Sequence, residues 1–570
     1  MAQQVFTRYG VPSKGLWTSA AADSIGPEYT PWCQNVRFRF GRVVRTPGRS
    51  KALQTMASDV NIIDFAIHTR EDGTRDYWTL EKKGAANQIS LFDAGSNSFG
   101  TTQSLPMTTA FGSRYSWTQG EEKLFVCRAS EIVAVDFDGT LITLEQLTAP
   151  NAMFVEYFKN HLVAMNLVGH GNVLGHSNWI QWSRAANYND WQQGEDAQGI
   201  IHGGQLELYD GAVEPITGGK VLNDRLVIYR NSSITDLNAT GDALNAFLPE
   251  NRVFGIGCLL PWSLVSLGQF HIFVGNDFNI YAWDGANLDP IGSPIHQYVR
   301  QLFDPYTATD ALHIPFAAAF RGFKEYWLVI PERGTENHIV LIYDYYRNSW
   351  TRDVFTSLYA LMESIQMGPT GTRGFDATGF PMMYPLLFAG AGNDFFMIDE
   401  RVTGDWYDDP QNGGMDMFFD TPDMYYAQNG MGNGTLERMV ISSDLPRHGG
   451  EPPYELLVSV DRGNSFPYGV VIVPEDRHWG FEFADTNLTS NVRRYRFFYP
   501  KQNGPAAPTL RAYTDVYIPS GEFFPINQLL NPQDPNIPTT GSVERKDGVP
   551  LGTLQPLPPG VRRRNPTNIQ

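Results

Sequence analysis

SLGQFHIFVGNDFNIYAWDG, Ser266 to Gly285, reads as two short strands joined by a polar turn. Phe270, Ile272 and Val274 fall at every second position, Gly275-Asn276-Asp277 supplies turn chemistry, and Ile280, Ala282 and Trp283-Asp284-Gly285 close the stretch. Period-two alternation around a Gly/Asn/Asp turn predicts a β-hairpin with one buried face. The same plan recurs over roughly the first four hundred residues as strand, polar turn, strand, then an aromatic beside Asp or Gly. Repeated hairpins of this kind predict an all-β chain built from the blades of a β-propeller.

Upstream of that hairpin, Ile62–Ile67, Asp76–Leu80 and Gln88–Phe92 form one unit, and Arg114–Gln119, Lys123–Val126 and Ile132–Phe137 a second. Met153–Phe158 and His161–Asn166 lead into HSNWIQWSRAANYNDWQ (176–192), where Trp179, Trp182 and Trp191 surround Ser183 and Asp190. That cluster reads either as a plug between sheets or as an exposed platform for stacking sugars. Leu206–Tyr209, Lys220–Leu222, Arg225–Tyr229 and Ser233–Leu237 make the next unit. Downstream, 296–312 has the spacing of a short helix. Ala317–Phe320, Glu325–Ile330 and His338–Tyr343 follow, ending in YDYYRNSWTRD (343–353), which places Trp350 between sheets and Asp344 at a turn. Leu386–Ala389 and Phe395–Ile398 complete the series. A repeat of roughly 40–50 residues suits four-stranded blades, and six or seven of them fit the length.

Four regions are expected: lead-in strands over 1–58, the propeller over 59–409, a β-sandwich domain over 410–518 and an extended tail over 519–570. The boundary rests on the polar junction DDPQNGGMDMFFDTPDM (408–424). Beyond it, Leu436–Ser442, Glu455–Val460, Tyr468–Val473, Gly480–Phe483 and Arg493–Phe498 are strands without intervening helices, the plan of a sandwich. SVDRGNSF (459–466) fits the Asp-box pattern, a turn-fixing device found in sialidases and many other β proteins. The tail carries the compact basic run Arg562-Arg563-Arg564, either solvated or docked on an acidic partner or DNA.

A chain of 570 residues with net charge −18 is unsuited to gripping nucleic acid over its whole surface, yet is compatible with letting a polyanion slide past. The three cysteines, Cys33, Cys127 and Cys258, are widely spaced and read as buried small hydrophobes in a reducing compartment. The opening MAQQVFTRYGVPSKG lacks an apolar core, so no secretory leader is expected. No apolar run approaches the roughly 18 residues of a membrane span, so none is expected.

No phosphate-binding loop, dinucleotide fingerprint, HExxH or nucleophile elbow is present. His161, His170 and His176 match no common metal spacing. The acidic pairs Asp408-Asp409 and Asp420–Asp423 lack the alternating ligands of a calcium loop. A glycosidase needs two carboxylates across a cleft, and nothing singles out such a pair. Catalysis is therefore not indicated, and no catalytic, cofactor-binding or metal residue is assigned.

The early segment Asn35-Val36-Arg37-Phe38-Arg39-Phe40-Gly41, then Arg45-Thr46-Pro47-Gly48, resembles the opening of podovirus-type bacteriophage tail nozzle or hub proteins, packaged-DNA stabilisation-like β-propellers. The Trp-Ser…Asp-Trp segment and the Tyr-Asp…Asn-Ser-Trp ending are similar to that family in order. The resemblance implies a structural virion protein of the short tail, made in the host cytoplasm. Several copies, usually six, would form a ring around the DNA exit channel, joined to portal-adaptor proteins and tail fibres, with double-stranded DNA passing without sequence-specific binding. Arginines 37, 39, 42, 45 and 49 are then either a strand's solvent face or a contact with an acidic neighbouring chain. The alternative is a receptor-recognising or glycan-degrading, sialidase-like propeller, favoured by the Asp box and the 13 tryptophans.

Overall fold

In a computed structural model, the described residues are 5–523 apart from 50–52, 74, 94–97, 108–112, 138–140, 170–174, 210, 212, 304–310, 368–382, 400–415, 427–431, 445–453, 473–477, 483–488 and 500–508. The chain is nearly all β, with one α-helix, His296–Phe303, among the described residues. It divides into two compact units. One comprises 49–346 and 354–399; the other comprises 1–48, 347–353 and 400–570.

In the first unit, seven antiparallel sheets follow one another along the described chain. Their first strands are Val60–Thr69, Ser116–Gly120, Ala152–Phe158, Ile216–Leu222, Val265–Ser266, Phe316–Phe320 and Ala360–Met367. Each first strand packs against the first strand of the next sheet, and the seventh packs against the first, so the series closes on itself in a propeller-like cycle. The last sheet takes its outer strand from the other end of the unit. Gln54–Thr55 pairs antiparallel with Asp394–Asp399, placing Thr55 opposite Asp394 and Gln54 opposite Phe395.

Alternation within the strands explains the stacking. On Val60–Thr69, Ile63 and Ala66 join Trp78, Leu80, Leu124 and Val126 in the core between sheets one and two. Ile62 and Phe65 face the other way, among Phe99, Phe388 and Phe395 of sheets one and seven. Phe125, next to Leu124, packs instead with Val155, Leu162 and Trp191 of sheet three. Sheets one and two are thus covered on both faces, and each fully buried large apolar side chain contributes roughly 1.5–3 kcal/mol. This corrects the expectation of one buried face for the Ser266–Gly285 hairpin. All four residues of His271–Val274 are buried, and its partner Ile280–Trp283 is buried except at Ala282.

The unit boundaries of the repeats also move. Gly204–Glu207 is the fourth strand of sheet three, pairing with His176–Trp182 across a long excursion, and does not open sheet four. The short helix expected within 296–312 is present as His296–Phe303.

Among the described residues, the second unit contains two larger antiparallel sheets besides the two-stranded hairpin of Val36–Arg39 with Arg42–Arg45. In one, Thr509–Phe523 lies between Val5–Gly10 and Gly432–Asp444, and His478–Glu482 follows. In the other the order is Cys33–Gln34, Met417–Asp420, Val492–Tyr499, Tyr454–Ser459, Tyr468–Ile472. The rings of Phe497 and Tyr513 meet at 5.3 Å between the two sheets. Arg493 Nε donates to Asp515 Oδ2 at 2.5 Å in the same core. The stretch read as a lead-in, 1–58, therefore contributes strands to both units, and Thr509–Phe523 runs on past residue 518.

Candidate functional site

Charged side chains gather where the first strands meet. Asp64, Glu156, Lys220 and Glu363 each sit between mainly apolar or small neighbours in their strands. A lone charge in such a strand is costly unless it is paired. Here each has a partner on a neighbouring sheet. Lys220 Nζ lies 2.9 Å from Glu156 Oε2, joining sheets four and three. Glu363 of sheet seven accepts from the Gly322 amide at 2.7 Å and lies 3.5 Å from Arg321 Nη1, both just beyond the first strand of sheet six. Arg321 Nη2 also donates to the Ser266 carbonyl of sheet five at 2.8 Å. Burial pushes the Glu156 carboxyl up, and the Lys220 ammonium opposes that.

Arg114, which precedes sheet two, binds the most distant groups. Its Nη2 donates to the carbonyls of Ile63 and Tyr359, the latter at 2.9 Å, and its Nε lies 3.6 Å from Asp64 Oδ2. Its guanidinium carbon stands 4.0 Å from the centre of the Phe316 ring. It therefore touches sheets one, six and seven at once. Leu312, in the turn before sheet six, packs onto the apolar core of sheets one and two.

The features singled out in the sequence fall elsewhere. Trp182 and Trp191 are buried, Trp179 is half-buried, and no tryptophan whose side chain is described is exposed. Trp191 Nε1 donates to the Tyr188 carbonyl at 2.7 Å. This excursion, 183–203, is held by His202, whose Nδ1 lies 2.7 Å from Asp190 Oδ2 and whose Nε2 lies 3.3 Å from Asp196 Oδ2. The Asp190 bond, with Asp196 behind it, holds the imidazole pKa above its usual range.

His161 bonds the Ser183 carbonyl at 2.6 Å and His176 stacks on Trp179, so these two have separate surroundings; His170 lies outside the described residues. Asp420 and Asp423 are held by Arg496 and Arg494, at 2.6 and 2.8 Å, which leaves them poor calcium ligands. Asp408, Asp409 and Arg562–Arg564 lie outside the described residues. Among the described residues, no group of three His, Cys, Asp or Glu side chains is placed to hold a metal ion.

SVDRGNSF closes as a structural turn. Asp461 accepts from the Ser465 amide at 2.9 Å and from the Ser465 hydroxyl at 2.5 Å, while Ser459 Oγ accepts from the Gly463 amide. Burial alone would push Asp461 up, but the Ser459 and Ser465 hydroxyls hold it below the usual carboxylate range. Phe466 is half-buried against the Arg496 guanidinium. The arginine-rich hairpin, Val36–Arg39 with Arg42–Arg45, turns through Phe40 and Gly41, both at positive φ as a tight two-residue turn requires. Its Arg37 and Arg39 are buried, which corrects the solvent-face reading. Arg37 makes a two-pronged ion pair with Asp353, 2.9 and 2.8 Å, inside its own unit. The three cysteines are free and buried, and burial pushes each thiol up to about 12.

No family model matches the chain, and no curated protein matches it. Among solved structures, Kuenenia stuttgartiensis hydrazine synthase is similar over 60% of this chain and 95% of that one, at 12% identity and a TM-score of 0.34. The Pan2 WD40 domain of Neurospora crassa is similar over 61% and 97%, at 7% identity and 0.31. PorZ, a surface component of the type-IX secretion system of Porphyromonas gingivalis, is similar over 76% and 52%, at 10% identity and 0.31. At these scores the likenesses carry no argument.

Proposed function

We propose that the first unit is a seven-bladed β-propeller, the second a β-sandwich, and the whole chain a structural protein of a short phage tail. In this reading several copies, usually six, form a nozzle or hub ring that lines the DNA exit channel. The ring joins portal-adaptor proteins to tail fibres. The observation that supports the reading is the closed cycle of sheets. Such a body is a rigid wall segment, and the DNA channel of the ring runs between copies. The chain's charge of −18 supports a lining that repels the duplex, so DNA slides without specific contacts.

The test is mass by light scattering, alone and with the neighbouring virion proteins. A ring-sized species, alone or on mixing, supports the reading. A stable monomer or trimer that ignores those proteins yet binds or cleaves host polysaccharide overturns it.

A further inference from the structure

The excursion 183–203, between the third and fourth strands of sheet three, has two halves that are held differently. The first half is anchored to sheet two. Tyr188 Oη and Asn189 Nδ2 donate to Glu145 at 3.0 and 2.8 Å, and Asn189 Oδ1 accepts from the Thr148 amide at 3.2 Å. Trp191 is buried among Phe125, Leu147 and Leu162, in the core between sheets two and three. The second half, 194–202, is a strap folded on itself. The His202 amide donates to the Gly194 carbonyl at 2.9 Å, and the Asp196 amide to the Ile200 carbonyl at 3.0 Å. Glu195, Ala197, Gln198, Gly199 and Ile200 along it are exposed.

The His202 ring, its side chain 11% exposed, stands between one carboxylate from each half. Nδ1 lies 2.7 Å from Asp190 of the anchored half, and Nε2 lies 3.3 Å from Asp196 of the strap. An ionised carboxylate only accepts, so both bonds exist together only while both ring nitrogens carry protons. A neutral imidazole donates from one nitrogen and turns a lone pair toward the other carboxylate. Neither acid is stranded when the ring lets go. Asp190 keeps the Gln192 amide at 3.3 Å and Arg184 at 4.0 Å. Asp196 keeps the Gln198 and Ile200 amides at 2.9 and 2.8 Å. Those amides, Ile200 foremost, hold the Asp196 carboxyl below its usual range, so it stays ionised when the ring loses its proton. Arg184 stands behind Asp190, and Glu145 of sheet two is engaged by Tyr188 and Asn189.

We propose that the strap 194–202 is a pH latch: protonated His202 clamps it to the anchored half, and loss of that proton frees it. If the neutral ring keeps Asp190, the tip parts from its own base; if it keeps Asp196, the whole strap parts from the anchored half. Asp190, with Asp196 behind it, raises the pKa of the ring, so release comes above about pH 6.5. The device is independent of any role in a virion.

The experiment uses the full chain with Gln198→Cys carrying a nitroxide, read by electron paramagnetic resonance. The three native cysteines are buried, which directs the label to position 198. The scan runs from about pH 5.5 to about pH 9, a span in which histidine titrates and ordinary carboxylates do not. The expected result is an immobilised spectrum at the acid end that gives way to a mobile one in a single one-proton step. His202→Gln, which does not titrate, abolishes the step. Asp196→Asn offers an amide N–H to the neutral ring and stays immobilised at the alkaline end. The proposal is overturned if the labelled, otherwise native chain shows no change with pH. It is equally overturned if His202→Gln keeps the step, or if Asp196→Asn is released as the native strap is.

Discussion

Arg37 and Asp353 show what a single pair of residues does in this chain. They are 316 positions apart, almost wholly buried and joined by two parallel bonds. Removing one partner leaves a buried charge alone, so Arg37→Met is expected to destabilise by about 3–5 kcal/mol. Asp353→Asn, which leaves the arginine unpaired, should do the same. Denaturant unfolding of each variant checks this, and a loss below 1 kcal/mol would contradict it. His202 gives a pH signature instead. Its pKa is raised in the folded chain by Asp190 and Asp196. The bridge therefore stabilises fully below the unfolded value of about 6.5 and fades as pH rises through the higher folded value. Arg184, 4.0 Å from Asp190, is the other cation at this bridge. Wild type and His202→Gln should differ most in Tm near pH 5.5 and converge at alkaline pH; a constant gap would sink the assignment.

At the scale of elements, closure of the cycle rests on very little backbone. Beyond its pairing with Phe395, Gln54 reaches the first sheet, donating to the Phe99 carbonyl at 2.8 Å and accepting from the Phe99 amide at 2.6 Å. Gln54→Leu deletes both bonds and leaves Phe99 unsatisfied, a loss of about 2 kcal/mol. Hydrogen exchange along Asp394–Asp399 should quicken before the other sheets respond. The outer strand Phe247–Phe254 is long and exposes Leu248 and Phe254. Pro249 and a bulge near Arg252 interrupt the pairing edge, which is how exposed strands avoid joining other chains. Pro249→Val is expected to increase self-association in light scattering. Most of these strands were legible because alternation and Gly/Asn/Asp turns are local signals. Burial on both faces was not, because Leu124 and Phe125 look alike in sequence and differ only in which neighbouring sheet they meet. The charges on the first strands left a readable trace, Asp64 within VNIIDFAI and Glu156 within AMFVEYF, that needed the cycle to acquire meaning. Arg114 left none, since its partners lie about 50, 200 and 245 residues away.

The whole molecule is interleaved in sequence, and no local pattern announces that. Val5–Gly10 pairs with residues 512–517, and Gly432–Asp444 lines the other side of the same strand. Such non-local pairing waits for the entire chain, roughly half a minute or more of synthesis. A chain stopped at residue 508 should leave 1–48 and 417–499 open to limited proteolysis while the seven sheets stay resistant. Uniform resistance would contradict the division into two units. The clasp of Gln54–Thr55 on Asp394–Phe395 has a mechanical meaning as well. Successive sheets are tied by continuous covalent chain everywhere else in the cycle, but between the last sheet and the first only by non-covalent contacts, among them the Leu53, Met56 and Ile62 amides on the Phe395, Asn393 and Gly392 carbonyls, the strand pairing, the Gln54 side chain and the shared aromatic core. Tension drawn from the amino-terminal side peels that seam first, turning a hoop into a strip and opening the aromatic core of sheets one and seven. Resistance to pulling is then set by the rate at which the seam parts, and the ring's strength under load is the strength of its buckle.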